Sequence, residues 1–343
     1  MLTRSKSQPT YYKMIFLRKI NQIFKQCFYY QFLIYEDFIS CVFFKKLNKS
    51  HAIIKELTCS LLFLPLHKLK YLLLLILINT SWLGFSQNLT IVSWNIRDFG
   101  KSRDDSEIYL IANLVKDVDV IAIQEVVAKD PGGAQAVARL AEQLDRMGAD
   151  WDYSISDPTN SPSPYISERY AYLWKTAKVK KLGEARLINE LDQSVYREPY
   201  LITFLYQGKK LTLINYHSRT HDSNSSEYLE IESISNWILS KNFENCIWAG
   251  DFNLDIRHLS YSKLLNSGFN YIIESESTTL KNFCKDGDYL SFGEDNIIYR
   301  LSDLRFSHKK IFDFIAGRPC EEVKDLRVSF SDHLPIALNI TIN

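Results

Sequence analysis

The stretch Ile247-Trp-Ala-Gly-Asp-Phe-Asn253 combines a short apolar run with two polar side chains. The apolar residues before Gly250 predict a buried β-strand that ends at the glycine. Side chains two positions apart on an extended chain point the same way, so Asp251 and Asn253 are expected to lie together. The end of a strand is where α/β proteins place their chemistry. By itself, however, the pattern also fits an ordinary turn.

Polar residues recur at the ends of other apolar runs along residues 88–343. Each has an ordinary alternative explanation as a turn former or a helix cap. Their number, and their position at the edges of apolar runs, instead favours one shared site. The candidate site residues are Asn95, Glu125, Glu168, His217, Asp251, Asn253, Asp313, Asp332 and His333.

Apolar periodicity predicts a mixture of strands and helices without strict alternation. Helical periods cover 104–116 and 226–239, and a third helix begins after Pro131. We expect a hairpin across Gln207-Gly208 and a loop-rich stretch over 270–300. The alternating Ile311-Phe-Asp-Phe-Ile315 predicts a strand carrying Asp313, and 336–342 predicts the last strand. This mixture predicts an α/β fold of two packed mixed β-sheets with helices outside.

The charges of the chain are unevenly distributed. Residues 1–87 hold 12 Lys/Arg and 3 Asp/Glu, and residues 88–343 hold 29 and 37, so the parts carry +9 and −8. An acidic domain is not the usual footprint of a nucleic-acid binder, so bound cations are needed if it handles phosphates. The later part has three cysteines, Cys246, Cys284 and Cys320. An odd number without short spacing argues against a disulfide framework or a zinc site.

The first 86 residues contain a signal-peptide pattern. Lys68 and Lys70 precede an apolar run over 71–78, and small residues follow at Gly84 and Ser86. We therefore predict a non-functional or mis-assigned extension over 1–66, a signal peptide over 67–86 and a domain over 87–343. A membrane anchor is the alternative for the apolar run.

Five motifs in order resemble the endonuclease/exonuclease/phosphatase superfamily. They are Trp94-Asn-Ile, Gln124-Glu-Val, Asn215-x-His217, Gly250-Asp-Phe-Asn253 and Ser331-Asp-His-x-Pro335. Glu168-Arg-Tyr170, Arg197-Glu-Pro199 and Phe312-Asp-Phe-Ile-Ala-Gly317 resemble its deoxyribonuclease I-like members in particular. The resemblance covers essentially all of residues 88–343. It implies a four-layer sandwich and metal-dependent hydrolysis of phosphate esters.

The resemblance also implies a role for each candidate residue. Glu125 would bind Mg²⁺ with Asn95 and Asp332 beside it, with Mn²⁺ as an alternative and Ca²⁺ as a structural ion. Glu168 would orient His217, and Asp313 would orient His333. One imidazole would help to activate water while the other protonates the leaving oxygen or stabilises charge. Asp251 and Asn253 would position the nucleophile and a non-bridging phosphate oxygen.

Two positions depart from the deoxyribonuclease pattern. Val127 and Ile166 stand where those enzymes carry an arginine and a tyrosine that contact DNA. The leading hypothesis is a secreted or periplasmic, monomeric endonuclease of low sequence specificity, with DNA as substrate and without a stable protein partner or permanent membrane association. The alternative is a phosphodiesterase or phosphatase on a lipid or small phosphate ester, such as sphingomyelin or an inositol phosphate.

Overall fold

The computed structural model describes residues 88–129, 131–161, 167–219 and 227–342. The predicted extension over 1–66 and signal peptide over 67–86 lie outside these residues, so both stay predictions. Within the described ranges, no helix is long and apolar enough to cross a membrane.

The described chain contains fifteen strands and five α-helices. The strands are β1 (Asn88–Phe99), β2 (Val120–Val127), β3 (Trp151–Ile155), β4 (Glu168–Lys175), β5 (Lys180–Lys181), β6 (Arg186–Leu187), β7 (Tyr200–Tyr206), β8 (Lys209–His217), β9 (Asn245–Asp251), β10 (Asn270–Tyr271), β11 (Leu280–Lys285), β12 (Asp288–Leu290), β13 (Asp295–Leu301), β14 (Leu304–Ile311) and β15 (Ile336–Ile342). The helices are α1 (Asp105–Val115), α2 (Gly132–Arg146), α3 (Glu227–Lys241), α4 (Ser262–Leu265) and α5 (Cys320–Ser329).

Two mixed sheets form the centre of the described domain. The first has the order β14-β15-β1-β2-β4-β3, and the second has the order β10-β13-β9-β8-β7-β5, with β6 also paired to β7. The pairs β1–β2 and β8–β9 are parallel, whereas the other neighbours are antiparallel. A separate hairpin pairs β11 with β12.

Three apolar layers hold the sheets and helices together. Residues of both sheets, among them Ile91, Tyr172 and Phe204, form a buried cluster between them. The outer face of the first sheet packs on α1 and α2, and that of the second packs on α3 and α4. Strands that are apolar on both faces are expected when a sheet is covered on both sides. The predicted four-layer arrangement is therefore confirmed.

The predicted elements are mostly present, and the differences concentrate near the C-terminus. The stretch 270–300 includes all but the last residue of the seven-residue strand β13, which pairs along its whole length with β9. The predicted strand over 311–315 is wrong, because β14 ends at Ile311 and Asp313 lies in the following loop. The helix α5 was not predicted, because only Val323 of its residues is buried and it lacks an apolar period.

The prediction from cysteine number is also corrected. Cys284 of β11 and Cys320 at the start of α5 form a disulfide, while Cys246 is a free, buried thiol. The two bonded cysteines are 36 residues apart, and a small cluster around Leu280, Ile315 and Val323 packs beside the bridge. Sequence spacing could not reveal this pairing, because it depends on the fold bringing the hairpin onto α5.

Candidate active site

The ends of the central strands bring the candidate residues to one edge of the two sheets. β8 and β9 run parallel, so His217 and Asp251 are register partners at their ends. A Cβ at Gly250 would lie 1.7 Å from the carbonyl oxygen of Tyr216, so only glycine allows this close approach. The glycine thus permits β9 to deliver Asp251 beside His217.

The buried Asp251 lies between two imidazoles. Its Oδ2 atom is 3.6 Å from Nε2 of His217 and 3.6 Å from Nε2 of His333. Asn95 donates a hydrogen bond from Nδ2 to the same oxygen at 3.0 Å, and Asn253 N–H donates to Oδ1 at 3.1 Å. The site therefore centres on one carboxylate with a histidine on either side.

His217 is held by the carboxylate that the sequence predicts. Its Nδ1 atom lies 3.0 and 2.9 Å from the two carboxylate oxygens of Glu168. Arg197 in turn lies 3.5 Å from Glu168 Oε2, and its Nη1 donates to the carbonyl of Ser218. A carboxylate behind Nδ1 fixes the tautomer and leaves Nε2 facing the site.

The partner of His333 is Asp295, which corrects the prediction of Asp313. Asp295 Oδ2 lies 2.9 Å from Nδ1 of His333 and accepts a second hydrogen bond from Thr278 Oγ1 at 2.7 Å. Asp313 instead accepts from the Tyr289 hydroxyl at 2.7 Å and from two backbone N–H groups of its own loop.

The signal for Asp295 was present but weak. It opens the run Asp295-Asn-Ile-Ile-Tyr299, whose β-branched and aromatic residues favour a strand. That strand places Asp295 opposite Asp251 in the register of β13 and β9. The resemblance of Phe312-Asp-Phe-Ile-Ala-Gly317 points to Asp313 instead, but in the structure this segment is a loop whose Phe314 ring packs against Trp94 and Phe330.

The charges of the site perturb its pKa values in a consistent pattern. Burial opposes the charging of His333, but the Asp295 and Asp251 carboxylates outweigh it and raise the His333 pKa well above its usual value. Burial likewise opposes the charging of His217, and Glu168 reverses the balance, so that its pKa is raised. For Asp251, burial is outweighed by the two histidines, and its pKa is lowered. The site therefore favours imidazolium ions around an ionised Asp251.

Asn95 and Glu125 form an oxygen-rich pair next to Asp251. Nδ2 of Asn95 donates to Glu125 Oε1 at 3.0 Å, and the N–H of Asp98 lies 3.3 Å from Glu125 Oε2. Glu125 has φ of 59° and Asn253 has φ of 48°, a left-handed backbone that is costly outside glycine. Strain of this kind concentrates at functional sites.

These residues fit a hard divalent cation. Oδ1 of Asn95 is buried without a hydrogen-bond partner, and such an atom is suited to coordinate an ion. Asp332 lies in ion pairs with Arg327 at 2.9 Å and Arg97 at 3.4 Å, so it would share its oxygens with two guanidiniums. Asn95, Glu125 and Asp332 together offer only oxygen ligands, as Mg²⁺ prefers.

A second group could also hold an ion by distance alone. Ligand atoms of Asp251, Asp295 and His333 lie within 4.8 Å of one another. The imidazole of His333 nevertheless already bridges the two carboxylates, through Nδ1 to Asp295 and with Nε2 facing Asp251. A protonated imidazole hydrogen-bonded to Asp295 and 3.6 Å from Asp251 balances the charge of these carboxylates, so the group is explained without an ion.

Asn253 completes the candidate set on the His217 side. Its side-chain amide donates to the carbonyl of Ser218 at 3.3 Å, and the Ser218 N–H donates to the Asp251 carbonyl at 2.9 Å. The structure links Asn95, His217, Asn253 and His333 directly to Asp251, Glu168 to His217, and Glu125 to Asn95, whereas Asp332 contacts Arg97 and Arg327 and Asp313 contacts Tyr289. It adds Asp295.

The sequence of the chain matches the model of a known protein family. Residues 92–333 match the model of the endonuclease/exonuclease/phosphatase family. This chain belongs to that family. The match contains four of the motifs that carry the resemblance and the Ser331-Asp-His333 part of the fifth, and the predicted membership is confirmed.

Known relatives agree with this membership. A protein named deoxyribonuclease from Thioalkalivibrio sp. (strain K90mix) is 28% identical over 203 residues, which are 56% of this chain and 53% of the relative. The chain thus spans about half the length of that relative.

Solved structures of the family share the fold. A family protein from Bacteroides thetaiotaomicron superposes with a TM-score of 0.53 at 18% identity, covering 75% of this chain and 98% of its own. D. rerio TDP2 in complex with a single-strand DNA product gives 0.51 at 18%, covering 75% and 100%. A mannosyl-6-phosphatase from Bacteroides thetaiotaomicron VPI-5482 gives 0.51 at 18%, covering 74% and 100%. These similarities show that the described domain has the same fold as these structures.

Proposed function

We propose that the chain is a metal-dependent phosphodiesterase that cleaves DNA with little sequence preference. The observation that carries this proposal is Asp251 Oδ2, placed 3.6 Å from both Nε2 atoms of two carboxylate-backed histidines. A phosphate bound above Asp251 would meet an imidazole on each side. The similarity to a protein named deoxyribonuclease favours DNA among the phosphodiesters.

The residues divide the work of hydrolysis as follows. The lowered pKa of Asp251 keeps its carboxylate ionised, so it can orient the attacking water and accept its proton. One imidazolium hydrogen bonds to the non-bridging oxygens, where charge is concentrated in the transition state, and the other donates a proton to the leaving oxygen. Glu168 and Asp295 keep both rings oriented throughout.

The metal site would lie on the Asn95–Glu125 side. Asn95 Oδ1, Glu125 and Asp332 would hold Mg²⁺, with Mn²⁺ as an alternative, and we keep a structural role for Ca²⁺ as a further hypothesis. When bound, the ion would neutralise charge on the phosphate oxygens. Residues 88–343 carry a net charge of −8, which repels an anionic substrate. A bound cation would also offset this repulsion.

A secreted or periplasmic location is part of the proposal. The Cys284–Cys320 disulfide supports it, since such bonds persist in oxidising compartments. The signal-peptide pattern over 67–86 points the same way. We expect the protein to be a monomer that is released from the membrane once the signal peptide has been cleaved.

A second candidate is a hydrolase of a lipid or small phosphate ester. The acidic charge of residues 88–343 favours this candidate, because a negatively charged domain does not attract polyanionic DNA. Val127, in place of a DNA-contacting arginine, points the same way.

A substrate panel separates the two candidates. Plasmid DNA, RNA, sphingomyelin vesicles and inositol phosphates are incubated with the 87–343 protein and Mg²⁺, with and without Ca²⁺. The proposal expects nicking of plasmid DNA that EDTA abolishes. Hydrolysis of sphingomyelin or inositol phosphates without cleavage of DNA would establish the second candidate instead.

A further inference from the structure

A narrow strip of backbone joins His333 to an exposed aromatic ring. Thr279 forms an antiparallel bridge with His333, and Leu280 N–H donates to the Asp332 carbonyl at 2.8 Å. On its other side, Thr279 pairs with Phe292, whose carbonyl accepts from Thr279 N–H at 2.9 Å. Thr279 therefore lies between His333 and Phe292, and we call residues 278–280 and 291–292 the rim strip.

The backbone of Phe292 is held firmly while its ring stays in solvent. The Thr279 hydroxyl accepts from Phe292 N–H at 2.8 Å and lies 3.1 Å from its carbonyl oxygen. Thr278 N–H donates to the same carbonyl at 2.7 Å. The side chain is nevertheless 68% exposed. A fixed backbone with an exposed ring is a preorganised contact surface, because binding orders little that is not already ordered.

The same segment continues directly into the active site. Two residues after Phe292, the backbone carbonyl of Glu294 accepts a hydrogen bond from Phe252 N–H at 2.9 Å. The next residue, Asp295, is hydrogen-bonded to His333. Two strand spacings separate the backbones of Phe292 and His333, about 10 Å. The Phe292 side chain thus starts close enough to His333 for one bound nucleotide to contact both.

The aromatic face of Phe292 and the negative charge of the domain together indicate which ligand would bind here. An aromatic face binds a nucleobase by stacking, which needs no net positive charge. An acidic domain of −8 gains little from long-range attraction to phosphates, so contacts to bases matter more for it. Bases in a duplex are already stacked on each other, whereas those of a single strand are accessible.

We propose that Phe292 is a specificity-determining residue that stacks on a nucleobase beside the cleaved phosphate and favours single-stranded DNA. This inference rests on the proposed nuclease function and deepens it. The ring would position the strand so that the neighbouring phosphate reaches Asp251 and the two histidines.

The test compares two oligomers that differ only in their bases. An octathymidylate and an octamer of tetrahydrofuran abasic units have the same phosphates, and kcat/KM is measured for both with Mg²⁺. The wild-type protein should prefer the thymidylate by about 5- to 100-fold, the range expected for one stacking contact. Phe292→Ala should reduce this preference to near one, and Phe292→Trp should restore it.

Phe283 provides a matched control. It is also 68% exposed and lies on β11, in the hairpin that leaves the rim strip. Phe283→Ala should keep the preference of the wild-type protein. Equal preferences in wild-type protein and Phe292→Ala, or an equal loss in Phe283→Ala, would overturn the inference while leaving the nuclease function intact.

Two further outcomes are informative. If Phe292→Ala leaves the preference unchanged but reduces binding to sphingomyelin vesicles, the ring contacts lipid and the inference is wrong. If wild-type protein cleaves neither oligomer nor plasmid DNA, the proposed function and the inference both fail.

Discussion

Oδ2 of Asp295 lies 2.9 Å from Nδ1 of His333, on a strand whose register sets Asp295 opposite Asp251. Asp295 and His333 therefore form a carboxylate–imidazole pair equivalent to that of Glu168 and His217. Asp313, the other aspartate of this region, belongs to a loop and bonds to Tyr289. The two aspartates therefore give a paired test.

Asp295→Asn should lower the rate of DNA hydrolysis by about 10- to 100-fold, the cost usual for loss of an orienting partner of a functional imidazole. The amide carries no negative charge to stabilise the imidazolium, and it can turn its NH₂ group toward Nδ1 in place of the oxygen that accepts from it. The measurement is plasmid nicking under saturating Mg²⁺.

Asp313→Asn is the control for that substitution. It keeps one acceptor oxygen for Tyr289 and the backbone N–H groups, so it should cost little activity and about 1 kcal/mol of stability. An Asp313→Asn protein as impaired as Asp295→Asn would show that the orienting role is assigned to the wrong aspartate.

Glu125→Ala should weaken activation by metal. The change removes the main anionic ligand proposed for the ion, and Asn95 and Asp332 would remain. We expect the Mg²⁺ concentration for half-maximal activity to rise by about 10- to 100-fold, with partial recovery at high Mg²⁺ or Mn²⁺. An unchanged metal dependence in a titration of plasmid nicking would exclude Glu125 from the metal site.

Glu294→Gln should stabilise the protein in alkaline solution. Burial, with the nearby Asp251 carboxylate, raises the pKa of Glu294 from 4.5 to about 7. The folded protein therefore binds more protons than the unfolded chain between these values, and stability falls as the pH rises through that window. A glutamine does not titrate, so the variant should not show this loss. We expect it to be more stable than wild-type protein by about 1 kcal/mol at pH 8, a small value because solvent around the partly exposed side chain screens the charge.

Thermal unfolding in EDTA tests this expectation. The melting temperature of Glu294→Gln should exceed that of wild-type protein at pH 8, and the difference should disappear near pH 4.5. A difference of the same size at both pH values would show that the carboxylate charge is not its cause.

Replacing both Cys284 and Cys320 by serine should destabilise the fold. A bridge over 36 residues constrains the unfolded chain by about 3–4 kcal/mol in the loop-entropy model. Chemical denaturation of oxidised wild-type protein, reduced wild-type protein and the double variant measures this. Equal stability of oxidised and reduced wild-type protein would contradict a stabilising role for the bridge.

The sequence predicts the parts of the fold that are encoded locally. Strands marked by apolar and β-branched residues, such as those before Asn95 and Asp251, need no tertiary information. The α1 helix is marked by Asp104 and Glu107, which form a capping box in the structure. Most candidate residues follow such strands, and so most of the site could be located.

The parts that fail depend on contacts between distant segments. Asp295 reaches His333 only because β13 pairs with β9, and that pairing joins residues 44 to 56 positions apart in sequence. The α5 helix has a largely exposed surface, and its bond to β11 through Cys320 has no local signature. Tertiary context overrides periodicity at these places.

The central claim is that His217 and His333 act together on one phosphate across Asp251. Its most direct test is the rate of plasmid hydrolysis by His217→Ala, His333→Ala and the double variant, with circular dichroism confirming the fold. Each single change should cost about 10²- to 10⁴-fold, and the double should lose less than the product of the two, because groups acting as a unit are not additive. A His333→Ala protein with nearly wild-type activity, or losses in the double variant that multiply fully, would contradict the account.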